Sequence, residues 1–382
     1  MNEIRIVADE NIPNVIERFS GLGSVKTVNG RALTSDQLQD VDVLLVRSVT
    51  PVAASLLAGT GVRFVGTATI GVDHLDTTYL DDHGIHWVSA PGSNADSVAD
   101  YVISSLCRLD GVIGSLLRGA TVGIVGMGNV GSRVYQRLSR LGIKCYGYDP
   151  LIEQDRYPVM TDLETVLAAD VICLHTPLTT TGDFPSYHLL DKEKLASLQS
   201  GTVLINAGRG AVIDNQALKQ LLEQRDDLCV VLDVWEPEPD IDIELMKRVD
   251  IATPHIAGYS LDGKLAGCEM LYQACCEFLG VLACDSSHDQ GQLLSLHLQK
   301  THLLDEGLIE AVLACYDVGL DDQRLRGSIL HGADSDRGSI FDQLRKHYPV
   351  RREISQYQIN HTGKLVPALR DALTALGFVL IE

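Results

Sequence analysis

The sequence lacks the cysteine patterns that would indicate disulfides or a metal cluster. Its nine cysteines are odd in number and include no CxxC pair. Most of them stand in apolar surroundings, as Cys173 does in the run Val171–Leu174. Cysteine in such surroundings is normally a buried, packed thiol. We therefore expect a reduced, cytoplasmic protein without a metal site.

Long apolar runs and an excess of basic residues are also missing. The longest apolar runs, such as Val41–Val46, are far below the ~20 residues that cross a bilayer, and residues 1–9 show no feature of a secretory signal. The 31 Lys and Arg stand against 51 Asp and Glu, a net charge of −20. Nucleic acids need a basic surface. We expect neither a membrane nor a nucleic acid as partner, and an anionic substrate would need a local positive site.

What the sequence does contain is an alternation of short apolar runs with amphipathic helical patterns, which is typical of an α/β fold with parallel sheets. In the first part of the chain, the predicted strands are 4–8, 41–46 and 62–67. In the second part, they are 121–125, 144–148, 171–175, 203–206, 229–233 and 251–253. Six such strands with helices between them indicate a doubly wound nucleotide-binding sheet.

The 382 residues suffice for two or three domains. A long helical pattern at about 260–282 leads back towards the first sheet. We therefore predict two doubly wound, Rossmann-like parallel-sheet domains, one inserted in the other. The outer domain covers 1–94 and 257–283, and the inserted domain covers 95–256. Residues 284–382, with a polar, linker-like segment at 286–292, predict a small α+β C-terminal domain.

A GxGxxG sequence directly follows the strand 121–125 and opens a helix. In such a loop Gly126 makes the tight turn, Gly128 lets the backbone approach a pyrophosphate, and Gly131 lets the helix pack on the strand. Asp149 ends the next strand, where a carboxylate accepts hydrogen bonds from the adenosine ribose. No basic residue closely follows Asp149, so the 2′-phosphate of NADP would be repelled. The sequence predicts an NAD site.

Arg209, Glu238 and His255 follow three successive strands of the second sheet, at the edge where doubly wound folds bind ligands. An arginine can hold a carboxylate with two parallel hydrogen bonds. A histidine can take a hydroxyl proton near neutral pH, and a neighbouring glutamate favours the imidazolium. Taken singly, such an arginine is often a surface ion pair and such a histidine structural. Together they favour hydride transfer at the carbon of a hydroxy acid.

These motifs resemble those of the D-2-hydroxyacid dehydrogenases. The resemblance rests on 94–101 (NADSVADY), 126–131, 175–178 (HTPL), 206–210 and the Arg/Glu/His set. It implies an NAD-binding domain inserted in a smaller substrate, or lid, domain, with Arg209 and Glu238 catalytic and His255 the proton carrier. The NAD contacts it implies are Asn129, Val130, Asp149, Thr176, Asp233 and Gly258, beside the glycine loop. The substrate contacts it implies are Ser48, Thr67 and Tyr259.

Four of these positions have a structural alternative. Ser48 could stabilise a turn, and Thr67 could serve only in strand packing. Tyr259 could be a helix-entry residue, and Asp233 could cap the turn that follows it.

Within the family, the chain most resembles members that oxidise 4-phospho-D-erythronate to 2-oxo-3-hydroxy-4-phosphobutanoate for pyridoxal 5′-phosphate (vitamin B6) synthesis. This closer resemblance rests on the loops 45–50 and 66–73, on Tyr259, and on the tail at 341–353. It implies a homodimer formed through a C-terminal dimerisation domain.

The sequence identifies no clear donor for the substrate phosphate. Arg47, Arg351 and Arg352 are candidates, the last two from a partner subunit or merely as ion pairs. Two other functions stay open: a dehydrogenase for another D-2-hydroxy acid such as 3-phosphoglycerate, and a non-enzymatic NAD-sensing binding protein.

Overall fold

The computed structural model describes residues 3–284, 293–299, 302–360 and 365–381. The segment 286–292, expected to be a linker, lies outside the described residues. The chain forms two compact units, one from 1–94 with 260–291 and the other from 95–259 with 292–382. The chain thus leaves the first unit after residue 94 and returns to it at residue 260. Residues 292–382 belong to the same compact unit as 95–259, and a separate C-terminal domain stays a prediction.

Strands and helices are numbered in chain order. The strands are β1 (Ile4–Asp9), β2 (Gly23–Val28), β3 (Val43–Val46), β4 (Phe64–Thr67), β5 (His86–Val88), β6 (Thr121–Val125), β7 (Lys144–Tyr148), β8 (Val171–Leu174), β9 (Val203–Asn206), β10 (Cys229–Leu232), β11 (Ile251–Ala252), β12 (Leu294–Leu296), β13 (Tyr357–Asn360) and β14 (Val379–Ile381). The helices are α1 (Val15–Phe19), α2 (Ala54–Leu57), α3 (Thr77–Asp82), α4 (Ala95–Arg108), α5 (Val112–Leu117), α6 (Asn129–Arg140), α7 (Leu163–Leu167), α8 (Lys192–Ala196), α9 (Asn215–Leu222), α10 (Ile243–Arg248), α11 (Leu261–Leu279), α12 (Leu304–Cys315), α13 (Val318–His331), α14 (Arg337–Lys346) and α15 (Pro367–Leu376).

The first unit is built on a parallel sheet with the strand order β2-β1-β3-β4-β5. Helix α11, which follows residues 95–259 in the chain, also belongs to this unit. Its residues Leu271, Tyr272 and Cys275 pack into one core with residues of β1, β3 and β4. The Ser260 hydroxyl caps this helix by accepting a hydrogen bond from Gly263 N at 2.8 Å. The chain, which was predicted to lead back to the first sheet near residue 260, thus re-enters the first unit at the capped N-terminus of α11.

The second unit contains a parallel sheet with the order β11-β10-β9-β8-β6-β7. The six predicted strands are confirmed. Gly147 of β7 also forms an isolated parallel bridge with Met160. Strands β8 and β9 are buried throughout, as expected of a parallel sheet covered on both faces. The strand order reverses between β6 and β8, and ligands of doubly wound sheets bind at that reversal.

The C-terminal segment adds a small parallel sheet, β12-β13-β14, and the helices α12 to α15. Its helices α12 and α13 pack on α4, whose side chains are almost all buried. The Ser104 hydroxyl donates to Tyr316 O at 2.7 Å and accepts from Val318 N at 3.1 Å. The segment is therefore part of the core of this unit. Among the described residues, no helix is both long and apolar enough to span a membrane.

Candidate active site

The glycine loop between β6 and α6 is shaped for a close ligand. Gly126 has a φ of +89°, a conformation that costs glycine nothing. A Cβ on Gly131 would lie 1.9 Å from Gly126 O, whereas a Cβ on Gly128 would meet nothing within 4 Å. Helix α6 begins at Asn129 and Val130 without a side-chain cap. Its first N–H groups are thus available to an anion at the positive end of the helix.

Asp149 lies half-buried at the end of β7, beside the glycine loop. Its Oδ2 accepts a hydrogen bond from Met127 N at 2.9 Å, and its Oδ1 accepts one from Leu151 N at 3.0 Å. Each oxygen retains a second lone pair, since a carboxylate has about four acceptor positions. The carboxylate can therefore hold the loop and still accept from a ribose hydroxyl.

Two residues at the end of β8 have buried polar atoms without a partner. The Thr176 hydroxyl and both ring nitrogens of His175 make no hydrogen bond to the part of the chain that the structure describes. Burial lowers the pKa of His175 to about 4, so this imidazole is neutral at neutral pH. Thr176 is a predicted NAD contact. The sequence motif contained His175, but nothing in the motif revealed its unpaired, neutral ring.

Arg209 follows β9 on a loop fixed by Asn206. The Asn206 side chain donates to Arg209 O at 3.0 Å and accepts from Gly208 N at 3.1 Å. The guanidinium is half-buried, and its Nη1 donates to Gly208 O at 3.0 Å. The loop thus presents the arginine at the carboxyl end of the sheet, as predicted from its position after a strand.

Glu238 and His255 form a close pair, with 2.7 Å between Glu238 Oε2 and His255 Nδ1. The other oxygen of Glu238 accepts from Trp235 N at 2.8 Å. Burial opposes ionisation of Glu238, but the charge and hydrogen bond of His255, the Trp235 N–H and the charge of Arg345 outweigh it. The pKa of Glu238 is therefore lowered. The pair that the sequence predicted is formed, with an ionised glutamate against Nδ1 of the ring.

Asp233 lies behind this pair and is only 1% exposed. Its Oδ1 accepts from the Thr253 hydroxyl at 2.6 Å and from Ile256 N at 2.8 Å, and its Oδ2 accepts from Ala257 N at 2.9 Å. Its carbonyl accepts from His255 N at 2.7 Å. Asp233 thus caps the turn that carries the histidine, rather than the turn directly after Asp233 that its structural alternative named. Its contact with NAD, like that of Gly258 in the same half-buried turn, stays a prediction.

The predicted substrate residues of the first unit differ in exposure. Ser48 is exposed in a turn after β3. Thr67 is fully buried at the end of β4, and its Oγ1 lies 2.8 Å from Thr69 Oγ1 and 2.9 Å from His74 Nε2. Burial lowers the pKa of His74 to about 4. A role in substrate binding stays a prediction for both Ser48 and Thr67, and the hydroxyl of Thr67 is already engaged within its own unit.

Tyr259, in the second unit, is half-buried and packs edge-on against Tyr348, with 5.8 Å between the ring centroids. Arg345 of α14 lies on the same ring, with its Cζ 5.8 Å from the centroid. Sequence reasoning missed Arg345. Its only sequence signal was membership in the tail motif 341–353, and that motif does not indicate which residue lies near Tyr259.

The arginines suggested for the substrate phosphate have other surroundings. Arg351 is only 6% exposed, and its Nη2 donates to the Ser97 hydroxyl and to Ala257 O. Arg352 Nη2 donates to Gln356 Oε1 at 3.0 Å. Arg47 is half-buried in the first unit. Arg351 therefore holds the turn after the histidine from within its own chain.

Comparison with known proteins gives these residues a family. The model of the D-isomer specific 2-hydroxyacid dehydrogenase NAD-binding domain matches residues 101–257, and a domain of unknown function matches 289–377. The erythronate-4-phosphate dehydrogenase of Cellvibrio japonicus is 50% identical, over 98% of this chain and 99% of its own. The chain belongs to the erythronate-4-phosphate dehydrogenase family. The enzyme of that name from Marinobacter nauticus is 46% identical, again over 98% and 99% of the two chains.

A solved structure places this family within a wider fold. The Aquifex aeolicus D-lactate dehydrogenase, complexed with NAD and lactic acid, superposes with a TM-score of 0.60 and 25% identity, covering 72% of this chain and 95% of its own. The superposition therefore leaves more than a quarter of this chain uncovered. The shared part is the dehydrogenase fold.

The second unit contains an NAD-binding domain, and its residues fit the cofactor. The open space beside Gly128, the uncapped start of α6 and the unpartnered Thr176 hydroxyl all lie around the strand reversal. Asp149 is placed to accept from a ribose and would repel a 2′-phosphate. Among the described residues, no group of three or more His, Cys, Asp or Glu is arranged to hold a metal ion.

Proposed function

We propose that this chain oxidises 4-phospho-D-erythronate at carbon 2, with NAD as the oxidant, to 2-oxo-3-hydroxy-4-phosphobutanoate. The observation that carries the proposal is the 2.7 Å Glu238–His255 pair on an NAD-binding domain. The substrate comes from the curated relatives, which are named erythronate-4-phosphate dehydrogenase and match over nearly the full chain.

The pair sets the direction of proton transfer. Because Glu238 contacts Nδ1 of His255, the nitrogen left to receive the substrate's hydroxyl proton is Nε2. The ionised glutamate stabilises the imidazolium that then forms, as a carboxylate does behind a general base. The proton of the hydroxyl thus moves to His255. NAD, when bound, supplies the hydride acceptor for the hydrogen on carbon 2.

Arg209 is proposed to bind the substrate carboxylate. A guanidinium at this position can also stabilise the oxygen of carbon 2 as it becomes a carbonyl. Ser48, Thr67 and Tyr259 are proposed as further substrate contacts. The glycine loop with Asn129, Val130, Asp149, Thr176, Asp233 and Gly258 is proposed to contact NAD.

The wider role follows from the same family. The names of the relatives support a place in pyridoxal 5′-phosphate (vitamin B6) biosynthesis, and a cytoplasmic homodimer is proposed with it. Residues 1–94 and 257–283 are proposed as the lid domain, 95–256 as the NAD domain, and 284–382 as the dimerisation domain. The apolar residues of α12 to α15 pack into the core of the second unit, so the dimerisation role is proposed from the family resemblance.

The test is NADH formation at 340 nm with 4-phospho-D-erythronate, 3-phospho-D-glycerate, D-glycerate and D-lactate in parallel. A second series contains a 2-oxo acid, which reoxidises NADH that stays bound and would otherwise hide turnover. We expect clear preference for 4-phospho-D-erythronate. Preference for 3-phosphoglycerate would overturn the substrate and keep the mechanism. Binding of NAD without turnover of any of the four would favour the NAD-sensing alternative.

Two variants test the assigned roles. His255→Ala removes the proton acceptor and should lower kcat by about 100-fold or more, and Arg209→Ala should lower kcat/KM to a similar degree. Arg140→Gln, an exposed change in α6, is the control and should keep normal rates. Near-normal turnover in either active-site variant would refute the role given to that residue.

A further inference from the structure

Helix α14 brings a cation to the predicted active site that no sequence motif assigned. Arg345 is 17% exposed, and its guanidinium lies over the Tyr259 ring with Cζ 5.8 Å from the centroid. Burial disfavours its charge, but its electrostatic interactions with Tyr259 and Glu238 outweigh this and raise the pKa of Arg345, and its charge is one of those that lower the pKa of Glu238. Arg345 is therefore a neighbour of both the predicted substrate contact and the catalytic pair.

The guanidinium is incompletely paired for so enclosed a charge. Its nearest acidic partner, Asp342, is 3.9 Å from Nη1, which is too long for a hydrogen bond. Its Nε is buried and makes no hydrogen bond within the described residues. Glu238 is already engaged by His255 and by Trp235 N. Buried charge is costly unless it is paired, so this site is poised to accept an anion.

The proposed substrate has two anionic ends. Of the two ends, Arg209 is proposed to bind the carboxylate, which is adjacent to carbon 2. The phosphate monoester at the other end carries about −1.5 to −2 charges at neutral pH, and the chain as a whole carries −20. Such a group needs its own cation with planar, multiple donors, which is the geometry an arginine offers to phosphate.

We propose that Arg345, with the Tyr259 ring beneath it, binds the phosphate group of the substrate. This inference rests on the proposed function, since it names the residue that recognises one end of that substrate. It also gives a role to a helix within 289–377, which matches a domain of unknown function.

The experiment compares Arg345→Gln and Arg345→Lys with the wild-type chain on 4-phospho-D-erythronate and on D-erythronate. For Arg345→Gln we expect kcat/KM to fall about 10- to 100-fold with the phosphorylated substrate, mostly through KM, and less than twofold with D-erythronate. Arg345→Lys should keep part of the affinity because it keeps the charge. Lys346→Gln removes an exposed neighbouring charge and should leave kcat/KM unchanged for both substrates.

Inorganic phosphate, used as a competitive inhibitor, gives a second readout that does not depend on turnover of D-erythronate. Its inhibition constant should rise at least fivefold in Arg345→Gln, while the dissociation constant of NADH stays unchanged. Equal losses with both substrates, or an unchanged inhibition constant for phosphate, would show that Arg345 only supports the fold and would overturn the inference. A wild-type chain that does not prefer the phosphorylated substrate would instead refute the proposed function, and the phosphate constants would still decide the role of Arg345.

Discussion

Replacing Asp233 with alanine should destabilise the turn that carries His255 more than any other part of the unit. The carboxylate accepts hydrogen bonds from Thr253 Oγ1, Ile256 N and Ala257 N at 2.6, 2.8 and 2.9 Å. Because Asp233 is only 1% exposed, solvent water cannot readily replace its carboxylate as the hydrogen-bond acceptor. Alanine leaves all three donors without their acceptor.

The size of the effect follows from those donors. An unsatisfied buried donor costs about 1–3 kcal/mol, and the Thr253 hydroxyl keeps one partner, Tyr101 Oη, at 2.8 Å. We therefore expect Asp233→Ala to lower the free energy of unfolding of this unit by about 3–5 kcal/mol. Asp233→Asn keeps the shape but sets an amide N–H₂ against a backbone N–H, and should cost about 2 kcal/mol. Both should lower kcat, because the turn positions His255.

The assay uses a tryptophan that donates a hydrogen bond to this turn. The chain has two tryptophans, and Trp235 is buried with its Nε1 donating to Thr253 O at 3.0 Å. In a Trp87→Phe background, urea unfolding followed by fluorescence reports this unit. The control is Asp170→Ala, which removes an exposed carboxylate that accepts two hydrogen bonds from Thr121 and should cost about 1 kcal/mol or less. Equal shifts for the two alanine variants would refute the reasoning.

Two further predictions concern the glycine loop and the first unit. Gly131→Ala should reduce thermal stability because its Cβ would lie 1.9 Å from Gly126 O, whereas the Cβ of Gly128→Ala would meet nothing within 4 Å, so that this variant should fold normally and lose NADH affinity. Differential scanning fluorimetry measures the stability and NADH fluorescence measures the affinity. Equal melting temperatures of the two variants would contradict the prediction. The pKa of His74 is lowered to about 4 from its usual value near 6.5. The unfolded chain therefore binds the extra proton first, and the free energy of unfolding of the first unit should fall by up to about 2–3 kcal/mol as pH falls from 6.5 to 4. Urea unfolding followed by Trp87 fluorescence measures this free energy at each pH, and His74→Asn should make it nearly independent of pH.

Most strands that could be predicted from the sequence are more buried than the strands that were missed. Inner strands of the second sheet such as β8 and β9 were predicted because they are apolar runs that are buried throughout, and the outer strands β7 and β11 were predicted as well. Strands β2 and β5 were missed. They are the outer strands of the first sheet, and they carry glycine, serine, lysine and histidine on partly exposed positions. An edge strand needs less apolar surface, so its pattern is weaker.

The C-terminal segment shows the same limit. The sequence pattern predicts helices at 303–315 and at about 339–348, which agree within a few residues with α12 and α14, and the apolar end of the chain at 378–381 coincides with the short strand β14. Strands β12 and β13 and helix α15 were missed. The two strands are only three and four residues long, too short for a period of two to be distinguished from chance.

The site divides in a similar way between local and distant signals. Arg209, Glu238 and His255 could be found because each lies in the loop after a strand, and the carboxyl ends of parallel strands meet at one edge of the sheet. The position of Arg345 could not be found, since residues 259 and 345 meet only through the packing of α14. A helix reveals in its sequence which face is apolar, and it does not reveal which neighbour that face will meet.

His255 itself shows why two acids serve one histidine. Its φ of +56° lies in the left-handed region, which costs a non-glycine residue about 1–2 kcal/mol. Such a backbone persists only when its surroundings hold it. Asp233 holds the backbone on both sides of the ring, through its carbonyl to His255 N and its carboxylate to Ile256 N, while Glu238 holds the ring. Position and protonation are thus controlled by different acidic residues, so Glu238→Gln should lower kcat with little loss of stability, whereas Asp233→Asn should lower both the stability and kcat.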